Sequence, residues 1–172
     1  MKTLKQILSI AVLGTLTLSA TAQTWEVPKN YVLDKKEDYA KYEKDVINGS
    51  NWLETSPYNK EAAKRKEAGA FLLKWIMGSP NVTIELNANT LTFNDKNPDF
   101  LTLFMGGWTR FVLENPASAD DKVKGTLAGI KSVLKVYKAG NGVKKDKNVD
   151  KLVKLEADGK LEKWIEDQLK KK

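Results

Sequence analysis

Three features of this sequence have the residue types and spacing to do chemistry: a Ser-x-x-Lys pair at Ser132 and Lys135, an oxygen-donor run at Asp146, Asn148 and Asp150, and two arginines, Arg65 and Arg110, among 29 basic residues. A Lys one helical turn from a Ser can take its proton and make it a nucleophile. Oxygens at alternate positions can open a calcium loop. An Arg presents a rigid fork to a carboxylate or phosphate that Lys cannot copy. The chain has no His and no Cys. That removes imidazole bases, thiolate nucleophiles, Ser-His-Asp triads and the usual ligands of zinc and redox metals.

The first two patterns stop short. The K-T-G element that completes S-x-x-K sites is missing, and Ser79-Pro80-Asn81 precedes the Ser instead of following it. In the calcium frame from Asp146 the sixth position is Lys151 rather than Gly and the twelfth is Ala157 rather than Glu; the similar run from Asp95 fails at Phe100 and Gly106. The runs at Asp95 and Asp146, with a looser copy at Asp34, read instead as convergent helix caps. No cofactor and no metal is expected. A hydrolase without His would need paired carboxylates across a cleft. Glu85, Asp95, Asp99 and Glu114 already suit caps, turns and helix surfaces, so the chain reads as non-enzymatic.

Charge is distributed unevenly. Residues 23–121 hold ten Lys and two Arg against fifteen acids, a net of −3, whereas residues 122–172 hold fifteen Lys against seven acids, a net of +8. Lys124, Lys131, Lys135 and Lys138 fall along one flank of an apolar stripe, and Lys144 and Lys145 extend the basic region beyond a Gly140-Asn141-Gly142 turn. Arg110, following Trp108 on a strongly apolar segment, expects a structural carboxylate partner such as Glu114, one turn later. Candidate binding residues are therefore Arg110, Trp108, Lys124, Lys131, Lys135, Lys138, Lys144 and Lys145, facing an anionic or acidic protein, glycan or lipid head group. Lysine stems that border an apolar stripe and keep their heads in water give the same pattern without any ligand. Nucleic acid is not expected, because no recognition motif is present and aromatics do not interleave with the basic segment.

The elements that must position these residues begin after a leader. Lys2 and Lys5, an apolar stretch Ile7–Leu18 and Ala20-Thr21-Ala22 make residues 1–22 a secretory signal peptide cut after Ala22, too short in its apolar part to cross a bilayer. The expectation is a periplasmic or secreted protein of residues 23–172, one helical domain with an extended arm at 23–33 and no transmembrane segment. Its 41% hydrophobic and 30% charged content suits a packed globular chain that manages without disulfides.

Helical spacing then recurs. Asp34 and Glu37 predict a capping box for a helix that stops at Gly49, and a second helix starts near Ser56-Pro57 or Asn59 and closes at Gly78. Period-two alternation at Val82, Ile84, Leu86, Leu91 and Phe93 predicts a hairpin or extended pair over 81–93. Asn97-Pro98-Asp99 starts a third helix, apolar on most sides, whose Gly106-Gly107 pair requires close approach of another backbone. Ser118 caps a fourth, from Ala119 to Lys138, with Gly125 and Gly129 opposite its stripe; Asn148 caps a shorter one, and a last helix carries Leu161, Trp164, Ile165 and Leu169. The fold class is mainly α: a compact bundle of about five or six helices with one short hairpin or extended insertion near residues 81–93.

The reading this supports is an exported binding protein of the cell envelope or periplasm. A small carboxylate-dependent hydrolase of envelope polymers and a periplasmic chaperone or inhibitor for an acidic client are the alternatives.

Overall fold

The computed structural model describes residues 25–93 and 96–171; the proposed leader and Asp95 lie outside them. Within these residues the helical spacing closes into seven α-helices: α1 (Lys36–Lys41), α2 (Glu43–Thr55), α3 (Ala62–Gly78), α4 (Phe100–Glu114), α5 (Lys122–Ala139), α6 (Lys147–Ala157) and α7 (Leu161–Leu169), with one 3-10 turn at Pro116–Ser118. No strand occurs among the described residues. The chain is a mainly helical bundle, and none of its described helices is long and apolar enough to cross a membrane.

The helix apolar on most sides lies at the centre. On α4, Phe100, Leu103, Phe104, Trp108 and Val112 are all buried, and α5, α2 and α3 pack around it. Each such side chain, fully buried, stabilises the fold by about 1.5–3 kcal/mol relative to exposure. The Gly106-Gly107 pair sits where neighbours come close: a Cβ on Gly107 would lie 2.6 Å from Ser132 Cβ and 2.9 Å from the Ala128 carbonyl oxygen. On α5, a Cβ on Gly129 would lie 2.6 Å from the Phe104 ring. Glycine on both faces lets α4 and α5 approach backbone to backbone, and this offsets the helix propensity it forfeits.

Several expectations about helix ends are corrected. Gly49 does not stop a helix; α2 runs on to Thr55, and the Trp25 indole of the N-terminal arm lies against Gly49 in the space a side chain would fill. The break falls earlier, at Tyr42, which separates α1 from α2. Asp38, not Glu37, caps α1, accepting from the Asp34 and Lys35 amides at 3.3 and 3.1 Å. The next helix begins at Ala62 rather than near Ser56 or Asn59, after Glu61 in the left-handed region at φ 50°. Ser56 instead ends α2.

Asn97 is no cap either. Its buried amide donates to the Lys144 carbonyl and accepts from the Lys144 amide, both at 2.9 Å, fastening the start of α4 to the loop before α6. Asp121 rather than Ser118 caps α5, accepting from the Lys124 amide at 2.9 Å. Asp146 rather than Asn148 caps α6, accepting from the Asn148 amide at 2.8 Å. For α5 and α6 a residue two to three positions away offered a side-chain oxygen of equal capping quality.

Residues 81–93 take the extended form, not the hairpin. Two extended pieces flank a turn in which Thr90 and Leu91 donate their amides to the Asn87 carbonyl, and no ladder joins them. Val82, Thr90 and Phe93 face inward, and Asn148 donates its side-chain amide to the Thr92 carbonyl. A two-strand ladder is marginal in water, and docking on the helices replaces it. Upstream, Trp25 is buried against Trp52 and Phe71, with ring centroids 6.2 and 6.3 Å away.

Candidate functional site

Among the described residues Glu54, Arg65 and Asp146 are buried charged groups; Asp146 caps α6, and the other two mark two interior sites, each containing one of the chain's two arginines. The first lies where α2, α4 and α5 meet. Glu54, in the last turn of α2, is buried with 2% of its side chain exposed. Its Oε1 lies 2.7 Å from Arg110 Nη1 on α4 and accepts the Ser132 hydroxyl of α5 at 2.6 Å; its Oε2 accepts from Lys135 Nζ at 3.1 Å. Arg110 Nη1 also donates to Asn51 Oδ1 at 2.6 Å. The i, i+3 spacing sets Ser132 and Lys135 on one face of α5, and the glycine contact between α4 and α5 brings that face within reach of α2.

Arg110 has the structural carboxylate partner expected of it, but that partner is not Glu114. Glu114 is exposed, and Glu54 from another helix takes the charge, because α4 turns Arg110 inward toward α2. The same geometry defines what Ser132 does. Both S-x-x-K side chains address the same carboxylate, so the hydroxyl hydrogen is engaged and the Lys is an ion-pair partner rather than a base. A buried carboxylate answered by two cations and a hydroxyl is satisfied, and the cluster ties three helices together.

The remaining candidates drawn from the sequence scatter. Trp108 is buried with its indole stacked over Gly125, and its Nε1 has no hydrogen-bond partner among the described residues. Lys124 pairs with Asp121 at 3.3 Å and Lys138 with Glu156 at 2.8 Å. Lys131 is exposed beside a shallow groove that Leu127, Leu161 and Glu162 share. Lys144 and Lys145 are exposed in the α5–α6 loop. Three of the four lysines on the α5 flank thus have carboxylate partners, Lys135 through Glu54. Of the carboxylates weighed for hydrolysis, Glu85 pairs with Lys122 on the surface and Asp99 begins α4. Among the described residues no group of His, Cys, Asp and Glu could hold a metal ion.

The second site centres on Arg65, which the sequence marks as a rare arginine but does not place among the candidate binding residues. Arg65, on α3, is only 5% exposed. Its Nη1 donates to the Leu53 carbonyl at 3.1 Å and to the Ser56 carbonyl and hydroxyl at 3.3 and 2.9 Å, closing the C-terminal end of α2. Among the described residues its Nε and Nη2 have no hydrogen-bond partner and no carboxylate lies within ion-pair distance. The guanidinium lies over the Tyr58 ring, 5.0 Å from its centroid. Burial lowers its pKa from the ordinary arginine value, opposed by the charges of Asp99 and Tyr58. Arg65 borders a cleft of about 270 Å³ between α3 and α4 whose walls include Leu53, Leu73, Leu103 and Thr102, with Lys66 and Asp99 also on its lining. The available signal was the rarity of Arg in a Lys-rich chain, which marked both arginines equally.

No family model, no curated protein and no solved structure matches the chain.

Proposed function

We propose that the protein is an exported, non-enzymatic binding protein of the cell envelope or periplasm that meets an anionic or acidic partner through the lysines of its C-terminal helices. The observation that carries this reading is the charge of the α5–α7 layer. Residues 122–172 have a net charge of +8, and Lys131, Lys144, Lys145, Lys147, Lys151 and Lys154 are exposed with no carboxylate in ion-pair contact among the described residues. A field of one sign on one layer attracts polyanions and raises their encounter rate. Arg110 and Trp108 fall out of this surface, the first being paired with Glu54 and the second buried. The absence of His and Cys and the engagement of the Ser132 hydroxyl by Glu54 support a role in binding rather than turnover.

The test is retention on anionic phospholipid vesicles, a sulfated glycan and an acidic protein, each measured across a salt series. The reading expects binding to at least one of the three that weakens steeply with salt, and about a tenfold loss in a Lys131→Glu, Lys145→Glu, Lys151→Glu variant. Equal loss in a control variant reversed at Lys36 and Lys44, outside the basic layer, would contradict it.

A further inference from the structure

We infer that the cleft beside Arg65 is a binding site for a small molecule carrying a single carboxylate on an apolar body. This goes beyond the lysine surface and rests on different residues, so either reading can fail alone. Among the described residues no carboxylate contacts Arg65, and Asp99 acts on its charge only from beyond ion-pair distance. A buried cation is costly unless paired and hydrogen-bonded, and Arg65 has only neutral acceptors, all on one of its three nitrogens. The chain's other arginine, less buried, has a carboxylate. Nε and Nη2 each expose less than 1 Å² beside the cleft, so a ligand carboxylate reaches them only by displacing a lining side chain, and there it would give Arg65 a fork-shaped, charge-assisted contact.

The walls select the remainder of the ligand. Leu53, Leu73 and Leu103 offer apolar surface, and Gly69 brings α3 close to α4 on the lining, where a Cβ would meet Thr102 Cγ2 in ordinary contact at 3.5 Å and a longer side chain would enter the cleft. About 270 Å³ is near the lower end of the range for small-molecule sites, so the occupant is small. The Tyr58 ring covers one side of the guanidinium, 5.0 Å from its central carbon. Asp99 on the same lining repels a second negative charge, which favours a monocarboxylate over a phosphate or dicarboxylate. The same carboxylate would welcome an ammonium, so a branched apolar amino acid and its deaminated counterpart share the required chemistry.

The experiment uses purified protein with leucine, 4-methylpentanoate and leucinamide, read by ligand-observed saturation-transfer NMR and by thermal shift. Leucine or 4-methylpentanoate is expected to bind with a Kd in roughly the micromolar to millimolar range, and leucinamide, lacking the carboxylate, at least about tenfold more weakly. Arg65→Gln should abolish binding. Gly69→Leu should also abolish it while keeping Arg65 and its backbone anchors, and it carries the test should Arg65→Gln fail to fold. Asp99→Asn separates the two ligands: it should weaken leucine relative to 4-methylpentanoate. No binding of either carboxylate at about 10 mM, equal binding of leucinamide, or full binding by Gly69→Leu would overturn the inference. A refined structure in which the Asp99 carboxylate pairs directly with Arg65 would overturn it as well.

Discussion

Arg110 and Arg65 both reach the end of α2 from neighbouring helices, yet their surroundings differ. Arg110 comes from α4 to the Glu54 carboxylate, which Ser132 and Lys135 also address, and it retains 20% side-chain exposure. Arg65 comes from α3 to the Leu53 and Ser56 carbonyls, more deeply buried, with two nitrogens unmatched and a cleft alongside. The first arrangement is complete and ties helices together. The second closes a helix end but leaves donor capacity over. Identical side chains thus divide into a structural tie and a candidate ligand contact according to whether the fold supplies a counter-charge.

The largest effect that separates them comes from the counter-charge itself. Glu54→Ala leaves Arg110, Lys135 and Ser132 without their shared acceptor, and urea denaturation should register a loss of about 3 kcal/mol, at the low end for a broken buried pair because Lys135 can turn to water. A result under about 1 kcal/mol would make the Glu54 cluster incidental. Next in size is a matched replacement by Met. Arg110→Met strands a buried Glu54 with Lys135 and Ser132 alone and should cost about 2 kcal/mol. Arg65→Met removes an incompletely answered charge and should leave stability within about 1 kcal/mol of the parent, because lost hydrogen bonds and relieved desolvation offset one another. Equal losses at the two positions would erase the distinction.

The helical class is legible in the sequence because the apolar residues of α3, α4 and α5 recur at helical spacing over fifteen or more residues, and that spacing needs no partner to be read. Helix starts are less legible. Asp34, Asn97, Ser118 and Asn148 each look like caps by residue type, and tertiary contacts draw two of them elsewhere: Asn97 to Lys144, and Asn148 to Thr92. The Glu54 cluster is half visible. Arg110 stands out as an Arg on an apolar helix and Ser132 with Lys135 as a motif, but the Glu that joins them is 56 residues from Arg110, and no local pattern encodes that distance. The Gly106-Gly107 pair does announce a close approach, and α5 supplies it through Ala128 and Ser132.

A smaller effect contrasts the buried Glu54 with a half-buried carboxylate, Asp121. The Lys124 amide, donating to Asp121 at the start of α5, lowers the Asp121 pKa below the ordinary aspartate value. A depressed folded-state pKa contributes stability above the unfolded value, near about 4, and that stability is lost as pH falls through the folded value. Asp121→Asn should therefore flatten part of the acid limb of the stability–pH curve below about pH 4 and cost under about 1 kcal/mol at neutral pH, since Asn also caps and the site is solvated. A loss at neutral pH as large as that of Glu54→Ala would contradict the ranking of fully buried over partly solvated carboxylates.

Because the chain contains only two arginines, their Nε–H signals in a nitrogen-15 correlation spectrum report on both sites at once. With assignment by Arg65→Met, titration of 4-methylpentanoate should move the Arg65 signal in a saturable way and leave that of Arg110 in place, since Glu54 already answers it. Movement of Arg110 with Arg65 unchanged, or no movement of either at saturating ligand, would contradict the division between a completed arginine and an open one.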